Sequence, residues 1–107
     1  MEKIDLTYLE VLSEDDEEFK AEFIETFETT YKSLTQKMKD ELAANDLDNL
    51  SKSAHQLKPS AKMIQLSCSE TLEEIQHNPE KATDEAIKDI ISQCENALSQ
   101  LKDWANL

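Results

Sequence analysis

An all-α fold, an antiparallel up-down-up-down four-helix bundle with a short additional N-terminal helix, is predicted by three features of this 107-residue sequence. Glycine is absent and proline occurs only twice, so the composition carries few helix breakers. Apolar residues recur at steps of three and four, the period of a helix face, rather than alternating as in a strand. The turn signals between periodic segments are short, which makes consecutive helices antiparallel neighbours. The length suits one domain, residues 1–107, with enough core to fold without disulfides or a metal.

The elements follow in order. "DLTYLEVL" reads as a short first helix that acts as a lid. Ser13, followed by Glu14, Asp15 and Asp16, offers an N-cap with acids in the first turn, where the helix dipole favours them. Phe19, Phe23, Phe27, Tyr31, Leu34, Met38 and Leu42 then mark one buried stripe of a long second helix. "AANDLD" is a turn in which Asn45 or Asp46 caps a third helix with Leu47, Leu50, Ala54, Leu57, Ala61 and Ile64 inside. Ser67-Cys68-Ser69-Glu70 has the form of a capping box and opens a fourth helix with Leu72 and Ile75 inward. Pro79 ends it. Thr83, with Asp84 and Glu85 behind it, caps a last helix that buries Ile87, Ile90, Ile91, Cys94, Leu98, Leu101 and Trp104.

Twenty-four acids against eleven lysines give a formal charge of −13, and there is no arginine. Nucleic acid and anionic membrane are excluded as partners by repulsion. Phosphate chemistry would have to rely on lysine point charges and helix dipoles rather than guanidinium clamps. No apolar run approaches a membrane span, and the N-terminus lacks the basic-then-apolar layout of a secretion signal, so the cytoplasm is expected. Cys68 and Cys94 are too few and too isolated for a disulfide framework or a zinc site and read as packing thiols.

The segment "LSKSAHQLKPSAKM" stands apart. With His55 set to zero on a helical wheel, Leu50, Ala54, Leu57, Ala61 and Ile64 fall between about 180° and 260°. His55 therefore faces away from the core, together with Asp48, Ser51, Lys52, Lys58, Pro59 and Lys62. From Asn49 to Ser69 there is no acid, and Lys52, Lys58 and Lys62 lie within one or two turns of the histidine. An imidazole in water is largely unprotonated at neutral pH and can act as a nucleophile or a metal ligand. Lysines oppose a cation and favour an anion, and no second histidine or carboxylate stands at ligand spacing. The pattern selects phosphoryl chemistry over metal binding, and no metal site is expected.

"AHQLKPSAKMI" resembles the signature of the histidine phosphotransfer (HPt) domain: His55, Lys58 three residues on, Ser60 after it, and a small residue, Ala54, before the histidine. The resemblance implies a small helical bundle that acts in phosphorelays. His55 would take a phosphoryl group from an aspartate of one response-regulator receiver and pass it to an aspartate of another. Lys58 would stabilise the phosphoryl group electrostatically. Magnesium would be supplied by the receiver, so no cofactor of the chain's own is implied. Receivers, and a hybrid sensor histidine kinase, are the implied partners of a monomeric cytoplasmic phosphocarrier rather than an autonomous enzyme.

The chain departs from the family pattern at two positions, with Pro59 where Gly usually follows the histidine by four residues, and Gln65 where a second Gly is common. "HxLKPS" looks like a variant of the motif found in some bacterial lineages. Pro59 removes the hydrogen bond to the His55 carbonyl, at a typical cost of about 3 kcal/mol, and a kinked but single helix is expected. The supporting surface is expected to comprise Ser51, Lys52, Gln56, Pro59, Ser60, Lys62 and Gln76. The family's polar partner for the imidazole is Gln76 or Gln56, and His77 is expected to stabilise a helix C-terminus. The alternative function is a non-catalytic helical adaptor that docks a partner on the exposed face of the third helix, around Met63 and Leu66.

Overall fold

The structure, a computed structural model, describes residues 2–107, and every regular element among them is helical. Helix α1 spans Thr7–Ser13, α2 Glu17–Ala43, α3 Leu47–Met63, α4 Cys68–His77 and α5 Asp84–Ala105, with a 3-10 turn at Pro79–Lys81 before α5. The molecule is elongated, 43 × 20 × 20 Å. Helix α2 packs on α3 and α5, and α4 packs on α3 and α5, so the four longer helices enclose one core.

Two N-caps form as predicted. The Asp46 carboxylate accepts from Asn49 N–H at 3.4 Å, and Thr83 Oγ1 accepts from Ala86 N–H at 3.1 Å. Two others differ. Ser13 is the buried last residue of α1, and the chain turns through Glu14 and Asp15 at positive φ, so α2 starts later than expected. Its cap is Asp16, whose carboxylate accepts from Glu18 N–H at 2.9 Å and Phe19 N–H at 3.3 Å. The Ser67–Glu70 capping box does not close. Its donors are satisfied from elsewhere: Ser67 N–H and Oγ donate to the Glu2 carboxylate at 2.8 and 2.7 Å, and Cys68 N–H donates to Gln93 Oε1 at 2.8 Å. The N-terminal segment is thereby strapped over the α3–α4 loop, with Asp5 N–H donating to the Ile64 carbonyl at 3.0 Å.

The core contains Phe27, Tyr31, Leu34 and Met38 from α2, Leu50, Ala54, Leu57 and Ala61 from α3, Leu72 and Ile75 from α4, and Ile87, Ile90, Cys94 and Leu101 from α5. The stripe on α2 differs at its ends. Steps of four advance about 40° beyond a full turn, so Phe19 and Phe23 drift off the buried line and are only half-buried while Ile24 takes the inner position. Leu42, at the bundle end, is also half-buried. Thr35 is buried too, its hydroxyl donating to the Tyr31 carbonyl at 2.6 Å. Ile91 and Trp104 are half-buried, Trp104 covered by Lys20, whose ammonium lies 4.8 Å from the indole centroid. Cys68 and Cys94 are free, buried thiols. The hydrogen bond shared with Cys68, and then burial, push the Cys94 thiol far above its ordinary range. No helix among the described residues is long and apolar enough to cross a membrane.

Candidate functional site

Helix α3 presents two opposed faces. Leu50, Ala54 and Leu57 are fully buried, while His55, Gln56 and Lys52 are exposed. Pro59 is also exposed, on the turn after His55, and α3 runs through it from Leu47 to Met63 as one helix. The proline can be accommodated because the turn it weakens lies on the solvent face, where water can reach the His55 carbonyl left without its usual donor.

The predicted surface residues divide between two flanks of His55. On the α2 side, Lys52 and Gln56 line a shallow groove with Asn49 of α3 and Lys37, Asp40 and Glu41 of α2. On the α4 side, Ser51 Oγ donates to the backbone carbonyl of Gln76 at 2.6 Å, tying α3 to the last turn of α4. Ser51 is half-buried and serves as an interhelical tie. Ser60 is half-buried, and Lys62 is exposed one turn beyond Lys58.

Lys58 differs from the other lysines of the segment. Its side chain is only 16% exposed and lies in the α3–α4 seam, where Nζ donates to Gln76 Oε1 at 3.0 Å. The expected imidazole partner thus holds the lysine instead; among the described residues, no hydrogen bond joins Gln76 or Gln56 to His55. The reason is reach: Gln76 sits across the seam into which Lys58 extends, and its amide oxygen meets the ammonium first. A Glu73 carboxylate oxygen lies 3.7 Å from the same Nζ and 4.0 Å from His77 Nε2.

This carboxylate corrects the picture of an acid-free surround. The exclusion of acids holds along the chain from Asn49 to Ser69 but not in space, because α4 brings Glu73 to Lys58, and α2 brings Glu41 to within 2.8 Å of Ser53 Oγ. Glu73, Gln76 and His77 stand at helical spacings of three and four, so their common face was readable from sequence; the rotation of α4 that turns it toward Lys58 was not. Leu66, proposed for a docking face, is buried. Exposed apolar residues lie instead on α1, at Tyr8, Val11 and Leu12, and at Leu107; Tyr8 and Val11 border a groove with Met63 and Gln65. Among the described residues, no group of three or more His, Cys, Asp or Glu side chains is placed to hold a metal ion.

The site is thus an exposed histidine one turn from a lysine whose ammonium is held by Gln76, on the outer face of a helical bundle. The model of the Hpt domain family matches residues 19–104, from the start of α2 to the end of α5, and the chain belongs to that family, whose role is histidine phosphotransfer in phosphorelays with receiver domains as partners. Searches of curated proteins and of solved structures found no match.

Proposed function

We propose that this protein is a phosphorelay intermediate that accepts a phosphoryl group on His55 from a receiver aspartate and returns it to the aspartate of a second receiver. The observation that carries this assignment is the pairing of an exposed His55 with a Lys58 whose stem is buried and whose ammonium is anchored one helical turn away. A ring nitrogen of His55 attacks phosphorus with its lone pair, the N–P bond forms, and the P–O bond to the aspartate breaks. The carboxylate leaves with that electron pair; a magnesium ion held by the receiver would supply the positive charge to neutralise it. Onward transfer is the reverse, with the second aspartate as nucleophile. Lys58 supplies a positive charge beside the phosphoryl oxygens, and the open surface around His55, with Lys52, Gln56, Pro59, Ser60 and Lys62, receives the partner.

Residues 1–107 act in this proposal as one monomeric cytoplasmic domain with up-down-up-down topology. Contacts near opposite helix ends support the topology. Lys20 of α2 meets Trp104 of α5, Glu41 meets Ser53 across the α2–α3 turn, and Ser51 of α3 meets Gln76 of α4. Each pair joins the early part of one helix to a late part of its neighbour, or the reverse, as antiparallel packing requires.

The test is phosphate transfer from a phosphorylated receiver. Acid-labile phosphate is expected on His55 and none on the His55→Gln variant; equal labelling of that variant refutes the assignment. An adaptor function has one observation in its favour, which moves the docking face from the third helix to α1: the exposure of Tyr8, Val11 and Leu12. It predicts receiver-independent partner binding that survives His55→Gln and is lost on Val11→Asp.

A further inference from the structure

Building on the phosphotransfer proposal, we propose that Glu73 is an exchangeable counter-ion of Lys58: it occupies the lysine in the unphosphorylated protein and is displaced when His55 carries phosphate, while Gln76 keeps the ammonium in place. The two contacts are unequal. Lys58 Nζ donates to Gln76 Oε1 at 3.0 Å, a good hydrogen bond, whereas Glu73 stands at 3.7 Å, beyond good hydrogen-bond distance. Glu73 is also 52% exposed, against 16% for Lys58, so its carboxylate can swing into water without leaving a buried charge.

An ammonium has three donors. One stays on Gln76, which is itself anchored through its backbone carbonyl by Ser51 at 2.6 Å. A second exchanges the Glu73 carboxylate for a phosphoryl oxygen. His77, 4.0 Å from the same Glu73 oxygen, offers the displaced carboxylate a neighbour on its own helix.

The consequence follows from linkage. An attraction made in only one of two states shifts the equilibrium toward that state by its own free energy. Because Glu73 holds Lys58 only before phosphorylation, it weakens the lysine's hold on the phosphorylated product. Phospho-His55 is then kept easy to discharge, which suits a carrier rather than a store. Glu73 is in this sense a positioning residue that acts through Lys58 and does not touch the reacting atoms.

The experiment charges the protein on His55 with phosphoramidate, which needs no receiver, and follows phosphohistidine by 31P NMR; equilibration with a receiver is then measured. In Glu73→Gln, the ratio of phospho-His55 to phospho-aspartate at equilibrium should rise about two- to five-fold, the range associated with a solvent-exposed ion pair. In Gln76→Leu, charging should slow, because the ammonium is no longer held in the seam. In a Lys58→Ala background, neither substitution should have a further effect, and melting temperatures should stay within a few degrees throughout. An unchanged ratio in Glu73→Gln, or an equal change when Lys58 is already Ala, overturns the exchange. If the wild-type chain takes no phosphate on His55 from either donor, the phosphotransfer proposal fails and the exchange falls with it. Charging that is normal in wild type but indifferent to Glu73 removes the exchange alone.

Discussion

Replacing Lys58 by Met separates the charge of this residue from its packing. The side chain is 16% exposed, so its stem is part of the α3–α4 seam; Met preserves most of that contact while removing the ammonium. The partners left behind, Gln76 Oε1 and the 52%-exposed Glu73, can both turn to water, so the stability loss should stay below about 1 kcal/mol. The catalytic loss should be larger. Residues three apart on a helix bring their side chains within about 5–6 Å. At about 5 Å and an effective dielectric near 30, between the value for a protein surface and that of water, one unit of phosphoryl charge is worth about 2 kcal/mol. That converts to roughly a 30-fold slower transfer, because the charge comes within reach of Lys58 only as the phosphoryl group approaches His55. The assay is rapid-quench transfer from a phosphorylated receiver under single-turnover conditions, with receiver affinity measured separately by calorimetry. The rate should fall about 30-fold while Kd changes less than about three-fold. A rate within two-fold of wild type would remove Lys58 from the mechanism, and a loss confined to Kd would make it a docking residue.

Three further outcomes follow from the backbone and the surface charges. Pro59→Ala restores an N–H for the His55 carbonyl; against a small rise in unfolded-state entropy it should stabilise the fold by about 1–2 kcal/mol in urea melts, and a loss of stability would mean that the open turn is accommodated by contacts the proline itself makes. Gln65 adopts φ 59°, so Gln65→Gly should relieve left-handed strain and raise Tm by about 4 °C, whereas a lower Tm would show that the side chain compensates the strain. The Asp5 carboxyl is held below its ordinary 3.8 by the Thr7 backbone N–H, and the Glu28 carboxyl below its ordinary 4.5 by Lys32, which donates to it at 2.6 Å. Both folded values are depressed, so their stabilising contribution is complete above the ordinary values and is lost as pH falls through the lowered ones. Urea midpoints between pH 5 and 3 should therefore fall less steeply in Glu28→Gln than in wild type, and parallel curves would discount the pair.

Most of the fold was legible because helix periodicity is a local property. The inner faces of α3 and α5 were read almost residue by residue, since the apolar spacing along each stays close to the 3.6-residue helical repeat. On α2 the repeated step of four from Phe19 to Tyr31 misled, because it counts an apolar spiral and not a line parallel to the bundle axis. The caps that failed share a different cause. Ser13 and Ser67 are good N-cap residues by type, but Ser13 was absorbed by α1 and Ser67 by the Glu2 carboxylate. Which oxygen reaches a helix N-terminus is decided by the tertiary path of the chain, and sequence spacing does not contain that path.

The site was legible to the extent that it belongs to α3 alone. The wheel placed His55 on the water side because that statement concerns one helix and its core face. Statements about Lys58 and Gln76 concern two helices, and there the sequence could give the members but not the pairing. The acid-free window illustrates the limit: with 24 acids in 107 residues, clearing one stretch of a helix of carboxylates does not clear its neighbours, and the bundle returns Glu73 to the lysine across the seam. The absence of glycine has a similar consequence. Positive φ is still required at the turn after α3, and Gln65 supplies it, at the position where the family often has its second glycine. The first family glycine lies inside the helix and needs no such backbone, only a small profile beside the histidine. A proline can fill it by directing its ring to solvent, which is where Pro59 stands. The two departures from the motif are thus unequal: Gln65 bears a conformational strain that glycine would relieve, whereas Pro59 gives up one hydrogen bond on the exposed face that carries His55.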